Sequence, residues 1–464
     1  MREKKVTGEF DAISLREKSS FSGIVFGHSL IITPLTAFLS WFYTDFVGLP
    51  IGYVAALFLA ARVIDAITES ITGAIVDRTK SKYGVCRAWL FRMVVPFGVI
   101  MVSNFTIPET SMTGKMIYAA VTYILTLSVI ENCIGLPMTT LSSRITRNVD
   151  SQKRLSSLIS ILSVGAVLLT TTLQVPLLHA FGFNKLAFFF VHSIYAVIGM
   201  SCILLGTLGV TERVETIALE GAVEKDKQEK RSVFKDFALL FKNKYWVLAV
   251  LGFFGTAVVD GSNGNTIYYY TYILGDAGLN GLFSLALLVP LLIGIILMPT
   301  ISKRIRRRSL FLGVAQLIAA ALYVVQLLDP TPIGQNLVIT VIRSFCLAPY
   351  VSVMFALVAE SIEFGEWKTG VRTEGLAFST AAFIQKLGKA VAQSGGALIM
   401  SIGGYNGLQA VQTPQAMQGI VLAITVLAGG ASLFTGILML RFDLDQKLPQ
   451  ITKELKARRQ IQSE

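Results

Sequence analysis

Hydrophobic positions in this chain run in long blocks separated by short polar segments. Apolar runs of roughly 20 residues recur, each long enough to cross about 30 Å of hydrocarbon. Twelve can be placed, at 22–46, 51–76, 88–107, 115–141, 155–180, 186–210, 245–274, 279–301, 309–328, 336–362, 374–402 and 417–441. Lipid offers the backbone no hydrogen-bond partner, so each run must satisfy its own amides, and helices are predicted throughout. The expected fold class is an all-α membrane protein. The first run is not expected to be a cleaved signal peptide. A polar segment, residues 1–20, precedes it, the run is too long, and no small-residue cleavage site follows.

The longest polar stretch, 211–244, divides the spans six and six. A basic loop "DRTKSKYG" follows the second span, and "SKRIRRRS" follows the eighth, so the second half repeats the first in outline. Two six-helix halves around a midplane site is the major-facilitator arrangement. The expected organisation is a first half at 1–210, a central cytoplasmic loop at 211–244, a second half at 245–441 and a cytoplasmic tail at 442–464.

Composition agrees with a membrane chain. Of 464 residues 53% are hydrophobic and only 15% charged, too few charges to cover a soluble protein of this size. The net charge of +12 would suit a nucleic-acid partner, but its placement argues otherwise. With the amino terminus inside, nearly all Lys and Arg fall in inner loops, while outer loops hold only Lys115 and Lys185. This bias puts both termini in the cytoplasm. Cys86, Cys133, Cys202 and Cys346 are far apart, and three histidines form no cluster with them, so neither a disulfide nor a metal centre is expected. No nucleotide loop or nucleophile elbow appears, which leaves an enzyme a poor reading.

The charges inside the spans carry the chemistry. "RVIDAITESITG", residues 62–73, sits in an apolar run yet holds Arg62, Asp65 and Glu69. Asp65 and Glu69 are one turn apart and share a helix face. Two close carboxylates in a low dielectric either share a proton or hold a cation between hard oxygens. Either gives a charge-changing site within the membrane. The plainer reading is a fixed ion pair of Arg62 with one acid, which leaves one acid over. Other intramembrane acids are Glu131, Asp260 and Glu360, and other cations Arg343, Lys386 and Lys389.

"AESIEFGEWKTGVRTEGLAFSTAAFIQKLGKAV", residues 359–391, joins the tenth and eleventh spans. Glu363, Glu366, Arg372 and Glu374 mix both signs around Gly365 and Gly370, which permit tight turns and close approach. Such a cluster can gate the inner mouth, together with Asp77 and Arg78 at the head of the first basic loop. An ordinary solvated loop is the alternative. Lys386, about three turns into the eleventh helix, needs a partner, and Asp65 or Glu69 could supply one. A lysine reaching for the interface is the alternative.

"FYTDFVGLP", "ARVIDAITESITGAIVDRTKSKYG", "YYYTYILGD" and "IEFGEWKTGVRTEG" with "FIQKLGKA" resemble the glycoside–pentoside–hexuronide:cation symporters, the melibiose permease family. The resemblance runs from Ser14 to the end of the twelfth span. It implies the twelve-helix major facilitator fold, a bacterial inner-membrane location, and uptake of a glycoside with Na⁺, Li⁺ or H⁺. The family's cation-site carboxylates fall on Asp65 and Glu69, its helix-two arginine on Arg62, its helix-eleven lysine on Lys386, and a polar cation-site neighbour on Asn132. Some sugar-gripping positions depart from the pattern. The helix-one acid reads Ser29, a common lysine reads His28, the helix-four acid or amide reads Gly135, and a helix-five arginine reads Ser160. Glu131, Asn132, Thr139 and Thr140 are the candidates to replace them. Glu69 is the longer acid at a position where the permease that gives the family its name has aspartate. Its extra methylene crowds a Na⁺ cage and favours H⁺.

The sequence therefore predicts a secondary transporter importing a glycoside or related sugar derivative with H⁺ or Na⁺. Asp65, Glu69, Asn132 and Arg62 couple the cation, with Asp65 and Glu69 as ligands if it is Na⁺. Lys386, Glu131, Ser29, His28 and Thr139 bind substrate. Beyond the coupling cation no cofactor is expected, and the expected partners are a small sugar and the bilayer, with the chain a monomer. A carrier or exporter of another amphipathic solute and a non-transporting membrane sensor are the competing readings.

Overall fold

The computed structural model describes residues 13–79, 81–145, 149–212, 233–302, 304–305, 307–371 and 373–463. Among these residues are no strands, and twelve long helices precede the tail. The first four are α1 (Leu15–Ala37), α2 (Ile51–Arg78), α3 (Val85–Ser103) and α4, which runs Met112–Ile124, passes through a π-helical turn Leu125–Ile130 and continues as Glu131–Ile145. Then come α5 (Val149–Ala180), α6 (Lys185–Leu208), α7 (Lys244–Ser262), α8 (Leu279–Ser302), α9 (Arg308–Leu328), α10 (Ile333–Thr369), α11 (Glu374–Ile402) and α12 (Pro414–Leu440). Eleven of the twelve are long and apolar enough to cross a membrane. The exception, α11, is equally long but carries Glu374, Lys386 and Lys389.

Two compact units make up the chain: Met1–Glu229 with Asn406–Gln409, and Lys230–Tyr405 with Ala410–Glu464. Within the first, α1 packs on α5 and α6, α3 on α4 and α6, and α2 on α4. Within the second, α7 packs on α11 and α12, α9 on α10 and α12, and α8 on α10. The neighbour pattern is the same with every helix number raised by six. The internal repeat is thus much deeper than the two basic loops suggested. Small residues set the closest contacts, as expected where lipid removes the hydrophobic drive between helices. A Cβ on Gly27 of α1 would stand 2.5 Å from the Gly199 carbonyl oxygen of α6.

The leading helix of each unit also ends in the same way. After α1 the chain passes through Leu39–Trp41 into a π turn, Phe42–Phe46. After α7 it passes through Asn263–Asn265 and Thr266–Tyr268 into a π turn, Tyr269–Ile273. The Val47 N–H donates to the Phe42 carbonyl and the Leu274 N–H to the Tyr269 carbonyl, both at 3.1 Å. Gly48 and Gly275 follow at φ 82° and 81°, left-handed backbone that suits glycine. The Thr44 and Thr271 hydroxyls each donate to the carbonyl four residues earlier. The shared pattern is Tyr-Thr-x-x-x-Gly, at 43–48 and 270–275.

Three expectations about the polar segments change. The central loop is partly folded. The Thr211 hydroxyl donates to Glu17 at 3.1 Å, and Glu212 accepts the Val85 and Arg87 amides at 3.1 and 2.9 Å. Glu212 thereby caps the amino terminus of α3, where unsatisfied amides favour an anion, and it also meets Arg144 at 3.6 Å. Residues 213–232 lie outside the described residues, and a short helix follows at Val233–Lys242.

The tenth helix does not stop near 362. It continues to Thr369, so the connection to α11 is only 370–373. Glu363 and Glu366 are therefore helical residues, with backbone amides satisfied by the helix itself rather than by a loop. Gly370 closes it at φ 71° with its N–H on the Glu366 carbonyl at 2.8 Å. The tail, in turn, is a helix, Leu444–Ser463, packed on α10. Ile451 and Leu455 are buried in a core cluster with Ile362.

Candidate functional site

The charge pattern of α2 resolves into two stripes. Val63, Ile67, Ile71 and Ile75, four residues apart, are 59%, 61%, 54% and 51% exposed. Apolar side chains presented outward at helical spacing face lipid. Asp65 lies on the other side of the helix and is 3% exposed. Arg62 and Glu69 are half-buried on that same face.

Asp65 is held from two directions. The Arg62 guanidinium reaches its Oδ2 at 3.5 Å, and the Asn132 side-chain amide donates to its Oδ1 at 2.9 Å. Asn132, 2% exposed, also donates to the Ser128 carbonyl at 3.0 Å and approaches the Thr68 hydroxyl at 3.5 Å. The Ser128 hydroxyl donates across to the Ala61 carbonyl of α2 at 3.0 Å. The wider π turn Leu125–Ile130 shifts the phase of α4 just before Glu131, and such turns recur at functional sites. After it, consecutive residues serve two neighbours. Asn132 meets α2, while the Glu131 carboxylate meets the His28 Nε2 of α1 at 3.4 Å. The His28 ring stacks on Phe97 of α3 at 5.6 Å.

Gly135 explains where Glu131 goes. A Cβ at 135 would stand 3.0 Å from the Glu131 Oε1. The Glu131 carboxylate thus fills space one turn along α4 that a side chain at 135 would occupy.

Not every expected substrate residue is presented this way. Ser29 is 7% exposed and its hydroxyl is hydrogen-bonded to Ser163 of α5 at 3.0 Å, which makes it a helix-packing contact. Thr139 is exposed and turns its hydroxyl back to the Gly135 carbonyl at 3.1 Å. Ser160 is likewise exposed and bonded to its own helix at the Ser156 carbonyl. Arg78 is exposed in the last turn of α2, and the side chain of Asp77 lies outside the described residues.

Lys386 lies half-buried on α11 of the second unit. Of the expected gating cluster there, Arg372 lies outside the described residues, and Glu374 is exposed in the first turn of α11. Glu363 accepts from the Thr452 hydroxyl of the tail helix at 3.1 Å. Nearby, the Trp367 indole donates to Glu454 at 2.7 Å, and Arg458 donates to the Trp367 carbonyl at 2.9 Å. The bond from Trp367, then one from Gln450 and the charge of Arg458, hold the Glu454 carboxyl below its ordinary value. Gly365 is the close approach its residue type suggested: a Cβ there would meet the Asn243 amide at 3.0 Å.

Sequence reasoning missed Thr68, Ser128 and Glu212. Ser128 carried a signal, since it sits one turn before Asn132 and must share its face. Among the described residues no three His, Cys, Asp or Glu side chains gather as metal ligands. The α2–α4 contact instead offers carboxylate and hydroxyl oxygens, with the Asn132 amide turned to donate.

Comparison with known proteins agrees with this architecture. The chain is 27% identical over 442 residues to the inner membrane symporter YicJ of Escherichia coli, covering 93% of this chain and 92% of that one. It is 27% identical over 452 residues to the isoprimeverose transporter of Lactiplantibacillus pentosus, covering 95% and 91%. The crystal structure of a D-xylose–proton symporter superposes with a TM-score of 0.62 at 14% identity, over 92% of this chain and 97% of that one, a likeness of fold. Residues 20–446 match the MFS/sugar transport protein family, and the chain belongs to that family, as a multi-pass membrane symporter of the major facilitator fold.

Proposed function

We propose that the chain takes up a glycoside or related sugar derivative with protons, using Asp65 and Glu69 as the coupling acids. The observation that carries this reading is the division of labour on α4. Asn132 donates to the buried Asp65 while its neighbour Glu131 pairs with His28. One short piece of helix reaches both a titratable carboxylate and a pair that can accept and donate hydrogen bonds to sugar hydroxyls. A ligand that moves α4 at one place alters the other. Each ligand then binds better when the other is present.

Proton coupling is favoured by how Asp65 is held. Both of its oxygens are engaged, by Arg62 and by the Asn132 N–H. A proton needs one lone pair, whereas Na⁺ needs several oxygens turned inward at once, including a reversed Asn132 amide. The long side chain of Glu69 points the same way. Neutralising an acid at this depth lowers the cost of moving it through hydrocarbon, roughly 2.5–3.5 kcal/mol per charge on insertion scales. That is the step that permits alternating access.

His28 and Glu131 are the sugar-side groups of the first unit, the exposed Thr139 hydroxyl is a further acceptor, and Lys386 is the substrate-binding residue of the second. Ser29 acts through packing. Glu363, Glu366, Arg372, Glu374, Asp77 and Arg78 gate the inner side. The chain works as a monomer in a bacterial inner membrane with both termini cytoplasmic. It needs no cofactor besides the coupling cation and releases its solute chemically unchanged.

Right-side-out vesicles test this with neutral glycosides, uronides and sulfonated sugars under imposed H⁺ or Na⁺ gradients. Accumulation of a sugar that collapses with a proton uncoupler is the expected result. Accumulation driven by Na⁺ at fixed pH and indifferent to the uncoupler would remove the proton assignment. No accumulation of any sugar would remove the sugar reading.

A further inference from the structure

The second unit holds an ion pair in mid-span that the coupling site does not use. The Lys389 Nζ of α11 lies 2.6 Å from the Asp260 Oδ2 of α7, with side chains 45% and 52% exposed. Half-exposed charges within membrane helices must face either lipid or water, and lipid is costly for both.

Helix geometry decides between them. The outward apolar residues of α11 are Phe383, Val391, Leu398 and Ile402. Lys389 is two residues before Val391, on roughly the opposite side of the helix, and shares its stripe with Lys386 and Gln393. Asp260 is exposed between buried neighbours on its helix, Val259 and Ser262. An acid is costly against lipid, so its exposure here points to water.

The backbone is arranged to bring the pair together. A Cβ on Gly261, next to Asp260, would stand 2.4 Å from the Lys389 carbonyl oxygen. One on Gly388, next to Lys389, would stand 2.7 Å from the Phe254 carbonyl oxygen. Two glycines, one per helix and each beside a member of the pair, let α7 and α11 touch there. Just beyond, α7 gives way to the 3-10 turn Asn263–Asn265, and broken helices are where transporters of this architecture bind their solutes.

We propose that Asp260 and Lys389 form a hydroxyl-recognising pair on a water-facing wall of the second unit, selecting a neutral sugar through two neighbouring hydroxyls. The ammonium donates to one sugar oxygen while the carboxylate accepts from the adjacent hydroxyl. The pair is neutral as a whole, so the attraction of Lys389 for an anionic sugar is offset by the repulsion of Asp260. This rests on the sugar-transport reading above and names its substrate class.

The test uses purified protein in proteoliposomes with isoprimeverose, other neutral glycosides, methyl glucuronide and a sulfonated sugar as probes. Asp260→Asn and Lys389→Gln should each raise KM for the neutral sugar about 10- to 100-fold with Vmax largely kept, the loss of a hydrogen bond to a charged group. The double variant should be no better than either single one. Recovery of wild-type KM in the double variant would make the pair a structural lock and overturn the proposal. Lys389→Cys, on a background lacking the four native cysteines, should react with a membrane-impermeant thiol reagent and be protected by the neutral sugar. Failure to react would place it against lipid, with the same consequence. A wild type that accumulates only an anionic sugar overturns this inference and leaves the sugar reading standing, whereas one that accumulates none of the probes overturns that reading too.

Discussion

The Asn132 side-chain amide donates a 2.9 Å hydrogen bond to the buried carboxylate of Asp65, joining α4 to α2 at the most charged point of the first unit. Asn132→Ala removes this donor from a carboxylate that is 3% exposed. A buried acceptor stripped of a partner costs about 1–3 kcal/mol. Gradient-driven accumulation should fall at least several-fold while the folded protein is still recovered. Unchanged accumulation would reduce this contact to helix packing.

Glu69→Gln should mimic the protonated acid. Uphill accumulation should be lost while solute exchange, which needs no net proton movement, partly survives. Glu69→Asp shortens the side chain by one methylene and should gain some response to Na⁺. Uphill transport by Glu69→Gln would exclude the pair as the coupling site.

Gly135→Ala should weaken sugar affinity several-fold without loss of expression. The added methyl would stand 3.0 Å from the Glu131 Oε1 and must shift that carboxylate, which now lies beside His28. Alanine is the better helix former by up to about 1 kcal/mol, so a merely structural role for this position predicts equal or higher stability and unaltered uptake. KM measured beside thermal stability separates the two.

The tail helix should undock in acid. Burial pushes the Asp443 carboxyl up, but the bonds from Lys447 and Tyr245 outweigh it and hold the group below its ordinary value of 3.8. Glu454, bonded by Trp367 and Gln450, is likewise held below 4.5. A carboxylate with a depressed folded value contributes stability above its unfolded value and loses it as pH falls through the folded one. Trp367 fluorescence and amide exchange of 444–463 should therefore be steady from pH 7 to about 5 and change only below the ordinary carboxylate range. Glu454→Gln should flatten part of that change.

Gly275→Ala should lower the melting temperature through the backbone alone. Nothing lies within 4 Å of the added Cβ, yet φ is 81°. Left-handed backbone costs a side chain about 1–2 kcal/mol, less for asparagine. Gly275→Asn should accordingly lose less than Gly275→Ala.

Much of this architecture was readable from the order of residues. Twelve apolar blocks imply helices because hydrocarbon leaves a backbone no other partner, and spacing alone puts Arg62, Asp65 and Glu69 on one face of α2. Local rules were weaker at element ends. The tenth helix passes its expected stop because Glu363 and Trp367 find partners on the tail helix, 87 or more residues away in sequence. The repeated π turns were spelled out as Tyr-Thr-x-x-x-Gly at 43–48 and 270–275, but an extra residue in a turn leaves no mark in hydropathy.

The partners of the charged residues came from packing. Asp65 and Asn132 are 67 positions apart, and nothing periodic links them. Glu131 could be recognised as an intramembrane acid, but its direction depended on the π turn before it, the empty place at Gly135 and the arrival of His28 from α1. Ser29 looked like a substrate group by position and is a packing contact because Ser163 meets it. Asp260 and Lys389 pair because glycines on both helices remove the side chains that would hold the backbones apart. Hydropathy and helical period are local quantities, legible one segment at a time. Which charge meets which depends on how closely two helices approach and how each is rotated, and those are properties of the packed unit.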